Sequence, residues 1–212
     1  MTFMETIMPR LSLIAIIALT GLYVVFFGAG SFLDLWTTAL ALHRPEVAEG
    51  NPFAVVNGSY SAWHAWTFTA IVAPFLLAYV IYGLANLQAL PDRTLERPLR
   101  SYADFGNPVS MICLLIFYVI PKSDRAALHT LSAAISFAIL RYLAAINNAM
   151  IAAFGDGPLA ALIRIVWAQV GQLWAFVIVL GLIYTALTLA TAVMVAGATR
   201  NWRRTRDTPH AA

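Results

Sequence analysis

The sequence contains long stretches with almost no charged side chains. Residues 11–33 contain no charged side chain. Residues 60–90 contain no Asp, Glu, Lys or Arg, and His64 is the one side chain there that could become positively charged. About 20 helical residues cross a hydrocarbon layer of about 30 Å. Only 11% of the chain is charged and 61% is hydrophobic, whereas about 25% of a soluble domain is usually charged. The sequence therefore predicts an all-α protein whose helices cross a bilayer.

Polar segments divide the chain into four long apolar helices and one short apolar run, within one integral membrane domain. A signal peptide would also fit the first apolar stretch, but the apolar character continues beyond Asp34 and favours a span. The helices are predicted at residues 11–42, 60–90, 126–154 and 159–199, with the short run at 108–121 and a basic tail at 200–212.

The short run at 108–121 decides between two topologies of this polytopic helical bundle. A run of this length is often re-entrant or interfacial, although it could form a fifth span with support from its neighbours. Four crossings place Arg10, the 91–107 loop and the tail on one side and leave Arg44 opposite. Because basic residues concentrate on the cytoplasmic side, we expect four spans in the inner membrane with a cytoplasmic C-terminus.

The basic tail also limits the partners that we expect. Its arginines are Arg200, Arg203, Arg204 and Arg206. A basic segment beside a span typically contacts anionic lipid. We do not expect nucleic-acid binding, because the sequence has no folded basic domain that would support it. Cys113 is the only cysteine, so an intrachain disulfide is excluded.

Asp34 and Arg141 are charged residues that lie well inside predicted spans. Such residues cost a few kcal/mol on insertion scales and should face protein or a polar cavity. Thr37 and Thr38 follow Asp34 by three and four residues, so all three lie roughly on one helix face. This group could bind a hard cation or a polar headgroup, with Asp34 and Glu49 as weak metal-ligand candidates. It could instead be a structural group whose hydrogen bonds hold helices together.

Depth along the helices suggests what lies near Asp34. In the four-span topology, Asp34 is ~12–14 Å below its loop and the Asn147–Asn148 pair is ~10–12 Å below a loop on the same side, at 1.5 Å per residue. Arg141 is one to two turns deeper on the face of Asn148. The predicted polar cluster near the outer leaflet consists of Asp34, Thr37, Thr38, Glu49, Asn51, Arg141, Asn147 and Asn148. Five spans would separate Asn148 from Glu49.

Other residues have simpler interpretations. His64 and His129 could ligate one haem only in the five-span topology, so we expect an interfacial role for each. Ser132 and Ser136 have the spacing of small residues that let helices approach closely. Gly171 and Ala175 in the final helix have the same spacing.

The motif Asp34-x-x-Thr37-Thr38, followed by Glu49-x-Asn51-Pro52 and later by the Asn147–Asn148 pair, resembles a family of small prokaryotic membrane proteins. This family is catalogued as a domain of unknown function with a D-x2-[ST]-T … E-x-N-P core. The resemblance covers roughly residues 15–155. It implies an integral membrane protein with a shared polar cluster and supplies no activity or cofactor.

Three functions remain open from the sequence. The first is a non-enzymatic membrane protein whose cluster binds a small cation or lipid headgroup, or fixes helix packing in a larger membrane complex. The second is an intramembrane enzyme acting on a lipid or isoprenoid, with Asp34 or Glu49 as general acid or base and Arg141 orienting a polar head. The third is an accessory subunit of an electron-transfer complex.

Overall fold

The computed structural model describes residues 11–44, 47, 54–57, 59–99 and 126–207. Six α-helices, one 3-10 helix (Leu87–Ala89) and one short β-hairpin lie within these ranges. The helices are α1 (Leu13–Ala41), α2 (Ala62–Asn86), α3 (Asp92–Glu96), α4 (Ala126–Phe154), α5 (Pro158–Val170) and α6 (Gln172–Asp207), and the strands are β1 (Val55–Val56) and β2 (Ser59–Tyr60).

Four of these helices, α1, α2, α4 and α6, are long and apolar enough to cross a membrane. The predicted all-α bundle with four main spans is therefore confirmed. Helix α4 ends at the predicted Phe154, and it is helical from Ala126, the first residue described after the gap at 100–125. The first two helices begin slightly later than predicted, because Ser12 and Ser61 act as N-caps and accept hydrogen bonds from Ala15 N and His64 N.

The spanning helices alternate in direction. Helices α1 and α4 run parallel, since Tyr23 contacts Ala134 near one end and Arg44 contacts Ala152 near the other. Helix α2 runs opposite to α4, because Thr69 contacts Arg141 whereas Gly83 approaches Leu131. We call the end at which α1 finishes and α2 begins the cluster end, and the other the tail end.

Helix α6 also runs opposite to α4 and finishes at the tail end. Its residues Ala192 and Ala196 share an apolar cluster with Leu128 and with Leu95 of α3. Helix α3 and the first described residues of α4 therefore lie at the same end of the bundle. This alternation matches the four-span topology, while the short run at 108–121 itself lies outside the described residues.

Helix α4 is the centre of the bundle and packs against α1, α2 and α6. Small side chains allow this close packing. Ser132 and Ser136 are fully buried, and Ser136 Oγ donates a hydrogen bond to Thr191 Oγ1 on α6. A methyl group added at Gly83 would lie 2.7 Å from Leu131 Cβ, so this glycine sets the separation of α2 and α4.

The final apolar stretch differs from its prediction. We expected one helix at 159–199, but two helices meet at Gly171, which has a φ of +83°. Within the described part of the chain this glycine does not bring helices close together as predicted, because an added Cβ would have no neighbouring atom within 4 Å. Its freedom to adopt positive φ permits the break instead. Ala175 is fully buried, as expected, and α6 continues to Asp207, into the predicted basic tail.

Candidate functional site: a polar cluster between three helices

The centre of the cluster is an ion pair between α1 and α4. Arg141 Nη1 donates a hydrogen bond of 2.8 Å to Asp34 Oδ2. The two side chains are 13% and 11% exposed, so both charges are largely enclosed by protein. An enclosed charge needs an opposite charge and hydrogen bonds to offset its lost hydration. Each residue therefore supplies what the other requires.

The second carboxylate oxygen of Asp34 has its own partner. Asn148 Nδ2 lies 3.1 Å from Asp34 Oδ1 and 2.8 Å from Thr38 Oγ1. Asn148 follows Arg141 by seven residues, which are two helical turns, and therefore lies on the same face of α4. The side chain of Asp34 is thus held from two levels of the neighbouring helix.

Thr69 brings the third helix into the cluster, and sequence reasoning missed it. Arg141 Nη2 donates a hydrogen bond of 2.8 Å to Thr69 Oγ1 on α2. The guanidinium carbon also lies 5.6 Å from the centre of the Phe137 ring, a distance suited to a cation–π contact. Thr69 lies ~10 Å from the start of α2, a depth similar to that of Asp34 from the end of α1. The depth comparison, if extended to neutral hydroxyls, would have found it.

Thr38 and Thr69 link the helices, because each hydroxyl donates one hydrogen bond within its own helix and accepts another from α4. Thr38 donates to Asp34 O and Thr69 donates to Ala65 O, in each case one turn back in its own helix. Each oxygen can then accept a hydrogen bond from α4. Among the described residues Thr37 does not make this link, because the contacts of its hydroxyl there are with the carbonyl oxygens of Leu33 and Asp34.

Asn147 has a different partner from Asn148. Its Oδ1 accepts hydrogen bonds from the backbone N–H groups of Leu159 and Ala160, at 2.9 and 3.2 Å. These groups belong to the first turn of α5, where N–H groups lack partners within the helix. Asn147 therefore serves as a cap for α5, and among the described contacts it does not reach Asp34.

Glu49 and Asn51 lie outside the described residues, so their predicted place above Asp34 stays a prediction. The chain that follows them is described at the cluster end. Ala54 is buried against Leu35 of α1 and Ala65 of α2, and Ser61 N donates to Ala54 O. The hairpin region therefore packs on both helices beside the cluster.

The cluster end carries two other features. Arg44 donates to the carbonyl oxygens of Ala152 and Ala153, which satisfies acceptors in the last turn of α4. Asp156 and Arg164 form an exposed ion pair of 2.6 Å. The hydrogen bond from Arg164, followed in importance by the one from Gly157 N–H, lowers the pKa of Asp156 from its ordinary value.

The histidines lie at opposite ends of the bundle. His64 is in the first turn of α2, where its Nδ1 lies 2.8 Å from Ser61 Oγ, and it is exposed. His129 is buried in the first turn of α4 at the tail end. They therefore cannot ligate one haem. In the part of the chain that the structure describes, no group of three or more His, Cys, Asp or Glu side chains could hold a metal ion.

The two charges of the cluster offset each other, and the carboxylate of Asp34 is fully engaged within the bundle. Arg141 offsets the charge of Asp34, and both carboxylate oxygens already accept hydrogen bonds. Such an arrangement suits a link between helices better than a bare cation site. No protein-family model, curated protein or solved structure matches the chain.

Proposed function

We propose that this chain is a non-enzymatic multi-pass protein of the inner membrane whose polar cluster fixes the packing of its helices, so that the bundle can serve as a subunit of a membrane complex. One observation carries this proposal. Asp34 and Arg141 direct their hydrogen bonds to each other and to side chains of the same bundle, joining α1, α2 and α4.

A polar link has particular value in lipid. Lipid tails are as apolar as the side chains of the helices, so the hydrophobic effect gives little net attraction between spans. Packing and interhelical hydrogen bonds must supply it. Asp34 and Arg141 cannot leave each other without exposing a charge to a medium of low polarity, so the pair also opposes alternative helix arrangements. Asp34 and Thr38 of the D-x2-[ST]-T motif both belong to the link, which fits the proposed family resemblance.

The other functions have less support. A cation would compete with Arg141 for Asp34, and a general base would need a free carboxylate oxygen. A polar lipid headgroup is the stronger alternative ligand, because the side chain of Arg141 retains 13% exposure. No described contact favours an electron-transfer subunit over other membrane complexes.

We further propose that the tail end faces the cytoplasm. Arg93 and Arg97 of the α3 region and the arginines of the final helix lie at this end, as the positive-inside rule favours. Arg204 is exposed there and suits contact with anionic lipid. Arg203 instead bonds to Asp92 and to the carbonyl oxygens of Gln88 and Leu90. Exposed Trp63 and Trp66 at the start of α2 suit the opposite interface.

The proposal is tested by purifying Asp34→Asn from its native membrane and comparing its complex size and co-purifying proteins with those of the parent. We expect a smaller or less stable complex, because the charge of Arg141 loses its partner. Asp156→Asn is the matched control, since it removes the same carboxylate charge from an exposed pair at the same end. Equal complexes from parent, Asp34→Asn and Asp156→Asn would contradict the proposed function. A loss of enzyme activity on a lipid with an intact complex would favour the enzymatic alternative.

A further inference from the structure

Two enclosed polar atoms beside the ion pair have no hydrogen-bond partner within the part of the chain that the structure describes. They are Ser31 Oγ on α1 and Arg141 Nε on α4. Ser31 is only 1% exposed. Both belong to residue types that almost always satisfy their polar groups when buried, so a shared partner would explain both.

Helix geometry places the two atoms in the same three-helix interface. Ser31 precedes Asp34 by three residues and Leu35 by four, so it is a neighbour of both on the surface of α1. Leu35 packs against Ala65 of α2, and Asp34 bonds to α4. Ser31 therefore lies on the side of α1 that faces both α2 and α4. The guanidinium of Arg141 occupies this interface, because it reaches from Asp34 to Thr69.

The depth of the two residues agrees as well. In helices, long side chains extend toward the N-terminus, and the guanidinium of Arg141 lies over Phe137, one turn earlier. Phe137 in turn lies against Phe27, with ring centres 6.2 Å apart. Ser31 is one turn after Phe27 on α1, which runs parallel to α4. The hydroxyl and the guanidinium are thus at a similar level in the bundle.

We propose that a water molecule binds between Ser31 Oγ and Arg141 Nε and completes the polar cluster; this inference rests on the proposed packing function. The ligand must accept a hydrogen bond from Nε–H, and it can donate to or accept from the serine hydroxyl. It is neutral, because Asp34 already offsets the charge of Arg141. A buried water of this kind usually makes two to four hydrogen bonds to otherwise unsatisfied groups.

Two serine-to-alanine variants test the inference, because the water site and an unsatisfied hydroxyl predict opposite changes in the thermal midpoint of unfolding. If Ser31 holds the water, Ser31→Ala lowers the thermal midpoint by a few degrees, because the water loses one of its anchors. If the hydroxyl has no partner, its removal leaves the midpoint unchanged or raises it, since an unsatisfied buried group is destabilising. Ser132→Ala is the matched control, because Ser132 is fully buried, its Oγ also lacks a described partner, and it lies one turn from Ser136 on the α6 side of α4.

A lower midpoint for Ser31→Ala than for Ser132→Ala supports the water site, whereas equal midpoints or a rise for Ser31→Ala overturn it. Proton-detected solid-state NMR in lipid gives a direct measurement. We expect a water cross-peak at Arg141 Nε–H in the parent and its loss in Ser31→Ala; no such peak in the parent overturns the inference. Asp34→Asn separates this outcome from the packing function, because its complex is disrupted whether or not the water binds.

Discussion

Two Asp–Arg pairs at the cluster end show why short distance alone does not measure the value of an ion pair. Asp156 and Arg164 are closer, at 2.6 Å, than Asp34 and Arg141, at 2.8 Å. However, the first pair is more than half exposed and the second is about one-tenth exposed. Water screens the exposed pair and competes for its hydrogen bonds. Water cannot replace a missing partner in the enclosed pair, so removal of either residue leaves the charge of the other without a partner.

The largest expected effect comes from breaking the enclosed pair. Asp34→Asn and Arg141→Gln should each lower the free energy of unfolding by roughly 3 kcal/mol, because each leaves the opposite charge enclosed and unpaired. The double variant should lose less than the sum, which a double-mutant cycle in mixed micelles would measure. Additive losses would contradict direct coupling between the two side chains.

The tail end provides an intermediate case. Arg203 is 15% exposed, but its partner Asp92 is 78% exposed, and Arg203 also bonds to the carbonyl oxygens of Gln88 and Leu90. We expect Arg203→Gln to cost about 1–2 kcal/mol, mainly through the lost bonds to the carbonyl oxygens. Asp92→Asn should cost about 0.5 kcal/mol or less. Unfolding of both variants under identical conditions checks the difference, and similar losses would show that Asp92 contributes most of the link.

Thr69 tests whether α2 contributes to the cluster beyond apolar packing. Thr69→Val keeps the shape of the side chain and removes the acceptor of Arg141 Nη2. The expected loss is about 0.6 kcal/mol and at most about 1.7 kcal/mol, the average and the maximum found for interhelical hydrogen bonds in a membrane protein. Thr67→Val on the same helix is the control, because Thr67 is exposed and bonds only to Trp63 O among its described contacts. Equal losses from Thr69→Val and Thr67→Val would show that the effect comes from replacing a threonine by valine in this helix and not from the hydrogen bond to Arg141.

The residues of the cluster show what sequence reasoning can supply. The fixed rise of a helix placed Asp34, Arg141 and Asn148 at compatible depths, and the helix directions agree with the expected alternation. The same arithmetic could not separate Asn147 from Asn148, because adjacent residues differ by 100° in direction and the neighbouring elements decide which contacts each makes. Thr69 was missed because a neutral threonine in an apolar helix gives no signal comparable to that of a charge.

The break at Gly171 was missed for a related reason. A single glycine inside an apolar stretch is tolerated at a cost of about 1 kcal/mol, so composition favoured one continuous helix. The conformation of this glycine and the cap that Asn147 provides for α5 are properties of the folded chain. Local sequence therefore predicted the spans well and predicted their interruption poorly.

The smallest expected effect is at the exposed pair, where pH sharpens the comparison. Because Arg164 lowers the pKa of Asp156 from its ordinary value, the pair contributes stability above the unfolded pKa and loses it as pH falls through the lower folded pKa. Asp156→Asn should shift the thermal midpoint by about 1 °C or less at pH 7, as expected for a surface pair. This small difference from the parent should vanish in acid, below the lowered pKa. Thermal unfolding of both proteins from pH 7 down to a pH below the lowered pKa checks the prediction. A large loss that does not change with pH would contradict a purely electrostatic role for Asp156, because asparagine keeps an oxygen that can accept the hydrogen bond from Gly157 N–H.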